Sequence, residues 1–190
     1  MDAIALLKAD HRSVEEKFVK FESLGPKAMK AKSDLVRDVI KALSIHTSVE
    51  ELLVYPAIRD RVAEQDEAVL EALEEHHVVK WTLSELLDMT PNEERFNAKF
   101  TVLMESVRHH VKEEEKTLFP AMRKGFNKAE LDELGLKLQQ AKSSAPSRPH
   151  PKSPDEPPMN AMSSMIAKPI DALRDASELA VRQLRAKASR

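Results

Sequence analysis

The sequence predicts an all-α fold: an up-down-up-down four-helix bundle with a short fifth helix and a C-terminal helical tail. Glycine accounts for only 3 of 190 residues, which favours helices over a turn-rich β architecture. Apolar residues recur at helical spacing, as at Val14, Phe18 and Phe21. Long segments are joined by short connections, and this arrangement makes consecutive helices antiparallel neighbours.

The first two predicted helices are separated by the turn pair Gly25-Pro26. The first helix is predicted over about 2–23. The second is expected to begin near Ser33, a residue type that often caps helices, and to end near Glu64. A third helix is predicted over about 66–89.

The fourth helix has its start signal in the segment Thr90-Pro91-Asn92-Glu93. Thr90 can cap the helix, Pro91 suits the first helical position, and Glu93 completes a capping box. The helix is therefore predicted to begin at this segment and to run to about Lys124.

The C-terminal part of the chain divides into three pieces. A fifth helix, capped by Asn127 with Glu130 three residues later, is predicted to complete a folded domain over 1–142. Six prolines then fall between residues 146 and 158, so 143–160 is predicted to be a Pro/Ser-rich linker. Residues 161–190 are predicted to form a basic amphipathic helical tail.

The tail combines apolar residues at near-helical spacing with a basic end. The apolar positions are Met162, Met165, Ile166, Ile170, Leu173, Leu179, Val181 and Leu184, and the basic ones are Arg182, Arg185, Lys187 and Arg190. Such a helix could dock on the bundle, self-associate or meet an acidic partner, and a plain helical tail is the simplest interpretation.

Composition and charge exclude several classes of function. With no cysteine, the chain has no disulfide scaffold, iron–sulfur cluster or thiol chemistry. Residues 1–140 carry 21 Lys/Arg against 27 Asp/Glu, and this acidic bundle argues against nucleic acid as its partner. No membrane span or basic-then-apolar leader is recognisable, so a cytoplasmic protein is expected.

An internal repeat carries the chemistry of the sequence. In His46-Thr-Ser-Val-Glu50 and His110-Val-Lys-Glu-Glu114, a Glu lies four residues after a His, and both motifs have a second Glu next. Each motif is followed by an aromatic residue and then a proline, Tyr55-Pro56 in the first and Phe119-Pro120 in the second. A further histidine precedes each motif by 34 or 35 residues: His76 precedes His110, and His11 precedes His46.

The spacing places these residues on one level of the bundle. Residues four apart share a helix face, so each motif presents an imidazole and a carboxylate together. With about 1.5 Å of rise per residue, the four histidines fall within a few turns of one another. Four imidazoles and two carboxylates suit a pair of metal ions, and without thiolates the candidates are Fe, Mn or Zn. Six protein ligands would leave open positions for a small molecule.

The order His…HisxxxGlu…His…HisxxxGlu on a four-helix bundle resembles the hemerythrin-like family of HHE cation-binding domains, over about residues 1–125. The resemblance implies two non-haem iron ions, in an Fe–O–Fe or Fe–OH–Fe centre. It implies the following metal ligands, with the two glutamates as bridges: His11, His46, Glu50, His76, His110 and Glu114. It also implies a small diatomic or peroxide ligand, namely O2, H2O2 or NO.

One position departs from the oxygen-carrying members of that family. They have a fifth histidine four residues beyond the first ligand of the third helix, and here that residue is Lys80. The departure favours a reactive or sensing site over reversible O2 carriage. We therefore expect a protein that binds, senses or decomposes a small oxidant, with catalase-like peroxide disproportionation as its enzymatic form.

Other interpretations remain open at this point. The main alternative is a non-catalytic iron- or oxygen-responsive module that signals through the tail, and a structural zinc site is another. A ferritin-type site would need two Glu-x-x-His motifs on separate helices, and only Glu74-to-His77 fits that spacing. Tyr55 is more simply a packing residue than a participant at the metals, and His77 and His109 are more simply solvated than ligating.

Overall fold

The computed structural model describes residues 1–155, 157 and 159–188, without the side chains of 161, 164, 182 and 184–188. The α-helices are α1 (Ala3–Glu22), α2 (Met29–Val49), α3 (Tyr55–Arg61), α4 (Asp66–Asp88), α5 (Phe96–Glu113), α6 (Phe119–Gly125), α7 (Lys128–Ser144) and α8 (Met159–Ala188). A first π turn (Glu50–Val54) joins α2 to α3, a second (Glu114–Leu118) joins α5 to α6, and Ala63–Gln65 form a 3₁₀ turn.

The bundle consists of two helical hairpins. The first hairpin comprises α1 and α2 with the first π turn, and the second comprises α4 and α5 with the second π turn. In each hairpin the two long helices pack against one another, and α2 packs on α4 to join the halves. The predicted all-α four-helix bundle with additional C-terminal helices is confirmed.

Two helix starts differ from the sequence prediction. The second helix begins at Met29, so Ser33 lies within it and does not cap it. The fourth begins at Phe96. Glu93 does reach back to the Thr90 backbone N–H, at 2.6 Å, but this contact closes a turn before the helix. The capping signal at Thr90 and Glu93 therefore predicted a local turn correctly, but it placed the start of the fourth helix five residues too early.

The fifth predicted helix corresponds to α7, and its capping signal is correct. Asn127 accepts from the Glu130 backbone N–H, and the Glu130 side chain accepts from the Asn127 N–H. Gly135 faces the start of α1, where a Cβ would lie 2.4 Å from the Met1 carbonyl oxygen. Because this close approach needs a glycine, α7 can pack directly on the N-terminus of the bundle.

The apolar core is divided into two clusters along the bundle axis. One cluster surrounds Leu7, Val49 and Leu73, and the other surrounds Val14, Leu43 and Val79. On α1, α2 and α4, the predicted ligand histidines lie in sequence between these pairs of core residues, at 11, 46 and 76. A polar layer thus interrupts an otherwise apolar interior, which is unusual unless that layer has a function.

The segment after α7 returns to the bundle, and α8 lies against it with its acidic side. Asp171 accepts from the Arg148 backbone N–H at 3.2 Å, and Glu178 pairs with Arg148 and Arg37. The apolar residues of α8 face outward: Met162, Met165, Ile166, Ile170 and Leu173 are exposed.

The predicted divisions of the chain at 142 and 160 stay predictions. Glu156, Pro158, Ser189 and Arg190, which belong to the predicted linker and tail, lie outside the described residues. The same holds for the side chains of Arg182, Leu184, Arg185 and Lys187 in the predicted basic end. Among the described helices, none has the length and apolarity needed to cross a membrane.

Candidate metal centre

The structure brings all six predicted ligand side chains to one place between the two core clusters. They project from α1, α2, α4 and α5 and from the first residue of each π turn. All six are buried, with exposures of 0 to 6% of the residue surface. These residues are His11, His46, Glu50, His76, His110 and Glu114.

The imidazoles face one another in two pairs. Within the first hairpin, the Nε2 atoms of His11 and His46 are 3.2 Å apart, and within the second, those of His76 and His110 are 3.1 Å apart. Each pair thus directs ring nitrogens at a shared point.

The two glutamates connect the pairs. Glu50 Oε2 lies 3.1 Å from His46 Nε2 and 3.5 Å from His76 Nε2. Glu114 Oε2 lies 3.4 Å from His11 Nε2 and 3.7 Å from His110 Nε2. Each carboxylate therefore has a histidine from both hairpins within reach. The donor atoms form two groups of metal-binding size: one contains His11, His46, Glu50 and Glu114, and the other contains Glu50, His76 and His110.

The buried oxygens of this cluster lack the partners that a buried polar atom normally has. Both carboxylate oxygens of Glu50 and the Oε2 atom of Glu114 accept no hydrogen bond. An unpaired buried carboxylate is strongly unfavourable, whereas a bound cation would satisfy it. Nitrogen and oxygen donors without thiolates suit iron, manganese or zinc, so these residues fit a metal pair.

A carboxylate lies behind each histidine on its Nδ1 side. Glu115 contacts His11 Nδ1 at 3.0 Å, Glu51 contacts His76 Nδ1 at 3.0 Å, and Glu75 contacts His110 Nδ1 at 2.7 Å. Asp10 stands 3.5 Å from His46 Nδ1, close enough for an ion pair but without a hydrogen bond. A proton held on Nδ1 by a carboxylate leaves Nε2 as a free electron pair, which is the form that binds metal.

Burial sets the protonation of several groups in the metal-free protein. It lowers the pKa of His46 to about 4 and also lowers that of His76, so both imidazoles are neutral at pH 7. Burial, reinforced by nearby Glu114, raises the pKa of Glu50 well above its usual value. The same two causes raise the pKa of Tyr55, which therefore stays a phenol.

Glu114 and His11 behave in the opposite way. Burial opposes the charged form of each, but the positive potential of His110 and His11 outweighs it and lowers the pKa of Glu114. The nearby carboxylates of Glu114 and Glu115 likewise outweigh burial and raise the pKa of His11. Without metal, the surroundings therefore favour the charged forms of Glu114 and His11 and disfavour the charged form of Glu50.

Tyr55 belongs to the site, although the sequence favoured a packing role for it. Its hydroxyl donates to Glu114 Oε1 at 3.0 Å and lies 3.2 Å from His76 Nε2. On a regular helix a residue nine positions after His46 lies on the opposite face. The first π turn contains about one more residue per turn than an α-helix. The side chains after it therefore point in a different direction around the helix axis than they would on a regular helix. The Pro56 that follows was the one sequence signal of a local irregularity.

The equivalent position in the second hairpin is Phe119, which stacks on the His11 ring at 5.7 Å between centroids, with planes 7° apart. Tyr55 contacts His76 at 5.4 Å between centroids, with the planes tilted by 40°. Each aromatic residue after a π turn therefore packs against the first histidine of the other hairpin, although in a different orientation. The internal repeat of the sequence is therefore also a repeat in which side chains pack together at the site.

Pro56 also alters the backbone beside the site. In the first π turn, the Tyr55 N–H donates to the Glu50 carbonyl. The next bond in that pattern would run from residue 56 to the Glu51 carbonyl, but proline has no N–H. The Asn160 side chain of α8 donates to that carbonyl instead, at 3.2 Å. The C-terminal helix therefore touches the residue that positions His76.

Comparison with known proteins agrees with this geometry. The family model of the hemerythrin HHE cation binding domain matches residues 2–122. The chain belongs to the hemerythrin HHE cation-binding domain family. An uncharacterized hemerythrin-like protein of Schizosaccharomyces pombe is 31% identical over 137 residues, which are 72% of this chain and 68% of that protein.

Two further proteins resemble this hemerythrin-like chain. The crystal structure of a hemerythrin HHE cation binding domain-containing protein from Mycobacterium kansasii superposes with a TM-score of 0.64 at 26% identity. That match covers 76% of this chain and 89% of the other. A DNA nickase of Nostoc is 26% identical over 73% of this chain, which spans only 38% of the nickase.

The remaining polar residues near this hemerythrin-like site have other partners. Lys80 is buried and donates to Glu51 Oε2 at 3.0 Å, on the side away from the ligand nitrogens. His77 accepts from the Trp81 indole N–H at 3.1 Å, and His109 lies at the surface near Glu75. His77 and His109 therefore stand outside the cluster.

Proposed function

We propose that this protein holds two non-haem iron ions on His11, His46, Glu50, His76, His110 and Glu114, and that it binds, senses or decomposes O2, H2O2 or NO. The observation that carries the proposal is a set of three buried carboxylate oxygens without hydrogen-bond partners, both of Glu50 and the Oε2 atom of Glu114, on side chains within reach of histidines from both hairpins. When bound there, iron would supply the redox chemistry, with catalase-like peroxide disproportionation as its enzymatic form. A cytoplasmic location belongs to the same proposal.

The chain's own residues prepare the site for that role. Glu115, Glu51 and Glu75 hold the Nδ1 protons of their histidines, so that the Nε2 atoms stay directed inward. The phenol of Tyr55 orients Glu114 and stays protonated because it is buried. The surrounding apolar side chains keep bulk water away, which strengthens every polar contact inside.

Metal analysis with optical spectra tests the proposal. The purified protein should contain two irons per chain and show charge-transfer bands that change on adding O2, H2O2 or NO. Oxygen release from added H2O2 would support peroxide disproportionation. If iron-loaded protein shows no turnover, only this enzymatic form of the proposal is refuted. Zinc as the only metal, with no spectral response, would refute the proposal.

A second candidate function is a non-catalytic module that reports its iron state through the C-terminal helix. The buried contact between Asn160 and the Glu51 carbonyl favours it, because it connects α8 to a side chain that positions His76. If so, the hydrogen-exchange rates of the α8 amides should differ between iron-loaded and metal-free protein. Truncation after residue 142 should also abolish the binding of a partner protein. Identical exchange in the two states would rule out this coupling.

The nicking activity named for the Nostoc relative has no comparable support. The match covers a minor part of that protein, and the bundle of this chain is acidic, which disfavours contact with the DNA backbone. Nucleic acid therefore stays outside the proposed partners of the bundle.

A further inference from the structure

An acidic pocket opens from the surface toward the second π turn. It has a volume of about 110 Å³ and lies between α4 and the second π turn. Glu71, Glu75 and Glu113 line it, and His110 and Glu114 form its inner wall. No Lys or Arg is among its lining residues, although Lys116 approaches Glu113 from outside at 3.9 Å.

Acidic residues at a surface are common, but this pocket ends at a ligand-type atom. Glu114 is 2% exposed, and its Oε2 atom has no hydrogen-bond partner. Glu75 already binds His110 at 2.7 Å, so the negative potential continues from the mouth to the centre. Such a gradient attracts divalent cations and raises their rate of entry.

A second opening of different character lies between α1 and α5. This groove has a volume of about 490 Å³, and its walls include Val14, Phe18, Val107 and Val111, with His11 at its floor. Its charged lining residues are Arg12, Arg108, Lys112 and Lys116 against Glu15 and Glu115. Arg108 is paired with Glu15 and with Glu22, so the groove carries no excess of negative charge that would attract metal cations, whereas its apolar walls accept neutral molecules.

The groove adjoins a small internal chamber lined by all four histidines of the site. The two cavities share His11, Val14, Val107 and Val111 as walls. The chamber has a volume of about 20 Å³, and a space of that size holds one or two water-sized molecules. It therefore admits a diatomic molecule or H2O2 and excludes larger organic oxidants.

We propose that the centre has two separate entrances: the acidic pocket admits the metal ions, and the apolar groove admits the small oxidant. The inference rests on the proposed function. Glu71 and Glu113 act on the rate at which cations arrive, and Val111 controls passage from the groove to the histidines. The two routes lie on opposite flanks of α5, so one can be altered while the other is left unchanged.

Two variants of the full chain test this division in one crossed experiment. Glu71→Gln with Glu113→Gln should slow uptake of Fe(II) by metal-free protein roughly three- to ten-fold at low salt, and the effect should shrink at high salt. The final iron content and the rate of NO binding should not change. Glu67→Gln, an exposed change on α4 outside the pocket, is the matched control.

Val111→Phe should give the reverse pattern. Binding of NO to reduced, iron-loaded protein should slow at least several-fold, while Fe(II) uptake stays at the wild-type rate. Val111→Met provides a milder change should the larger side chain disturb folding, and Val102→Phe on the exposed face of α5 is the control.

The readouts separate failure of this inference from failure of the proposed function. If the carboxamide variant takes up iron at the wild-type rate, or if both Val111 variants bind NO at the wild-type rate, the two-entrance proposal is refuted. If wild-type protein binds no pair of irons, or loaded protein responds to none of O2, H2O2 and NO, the proposed function fails instead.

Discussion

The two helical hairpins supply the site with nearly the same ligands but surround them differently. Each provides two histidines, one glutamate and a π turn that begins at the glutamate. Each also provides two carboxylates on the Nδ1 sides of the histidines, and these cross between the hairpins in part: Glu115 contacts His11, and Glu51 contacts His76. The first hairpin then places the hydroxyl of Tyr55 at the site, where the second has the unsubstituted ring of Phe119. The repeat therefore preserves the candidate metal ligands and varies the residues that surround them.

The protonation of the metal-free site follows the same division. Burial raises the pKa of Glu50, whereas neighbouring histidines lower that of Glu114. The pKa values of two carboxyl groups at equivalent positions are thus shifted in opposite directions, because the surrounding charges are unequal. The comparison indicates that the two hairpins give their glutamates different environments even though the candidate ligand types match.

The largest effect is expected from removing either bridging-type carboxylate. Glu50→Ala and Glu114→Ala should each reduce the iron content from two per chain to one or none, because each glutamate reaches histidines of both hairpins. Metal analysis by mass spectrometry checks this, and thermal unfolding should show that iron no longer stabilises the variants. Retention of two irons by either variant would contradict the bridging assignment.

Smaller effects on metal binding, which should differ between the two hairpins, are expected from the carboxylates that contact the histidine Nδ1 atoms. Both Glu51→Gln and Glu115→Gln should lower metal affinity, within a range of roughly 10- to 100-fold. The loss should be larger in Glu51→Gln than in Glu115→Gln. The reason is exposure, since the side chain of Glu51 is 5% exposed and that of Glu115 is 32% exposed. Competition with a chelator of known affinity measures both, and equal losses would show that burial does not distinguish them.

Tyr55→Phe would make the two hairpins alike at this position. The change removes the donor to Glu114 Oε1, so the metal-free protein should lose about 1–3 kcal/mol of stability. Urea unfolding of metal-free protein is the measurement. Phe119→Tyr is the companion variant, and it should also destabilise because its ring is tightly stacked on His11. A free energy of unfolding unchanged in Tyr55→Phe would mean that the hydroxyl contributes nothing there.

The smallest effect is expected from the histidines outside the cluster. His77→Ala and His150→Ala should keep two irons per chain, because His77 pairs with Trp81 and His150 with Asp171 of α8. The iron content of each variant is the measurement that tests this. A loss of one metal in either variant would add that residue to the ligand set.

Much of the fold followed from local sequence signals, and the errors have physical causes. Asn127 and Glu130 marked the start of α7 correctly, because both halves of the capping box form there. The similar signal at Thr90 and Glu93 closed a turn instead, since the helix that packs on α4 starts only at Phe96. Local hydrogen bonds identify a chain reversal, whereas tertiary packing decides where the helix begins.

The six side chains of the candidate site were predictable because HisxxxGlu needs only the helical period, and the repeat supplied the second copy. Their role as metal ligands stays a prediction. Tyr55 and the contact of Asn160 with Glu51 were not predictable in the same way, because both depend on the first π turn. A change of helical phase leaves only the nearby Pro56 as a trace in the sequence.

The carbonyl that Pro56 leaves without an amide partner has an energetic consequence for α8. While Asn160 donates to it, this carbonyl is satisfied within the protein, and after detachment of the C-terminal helix water must take the place of the lost donor. A vacated acceptor of this kind costs about 1–3 kcal/mol unless water enters. A partner that displaces α8 must therefore either leave that oxygen open to water or supply a donor of its own.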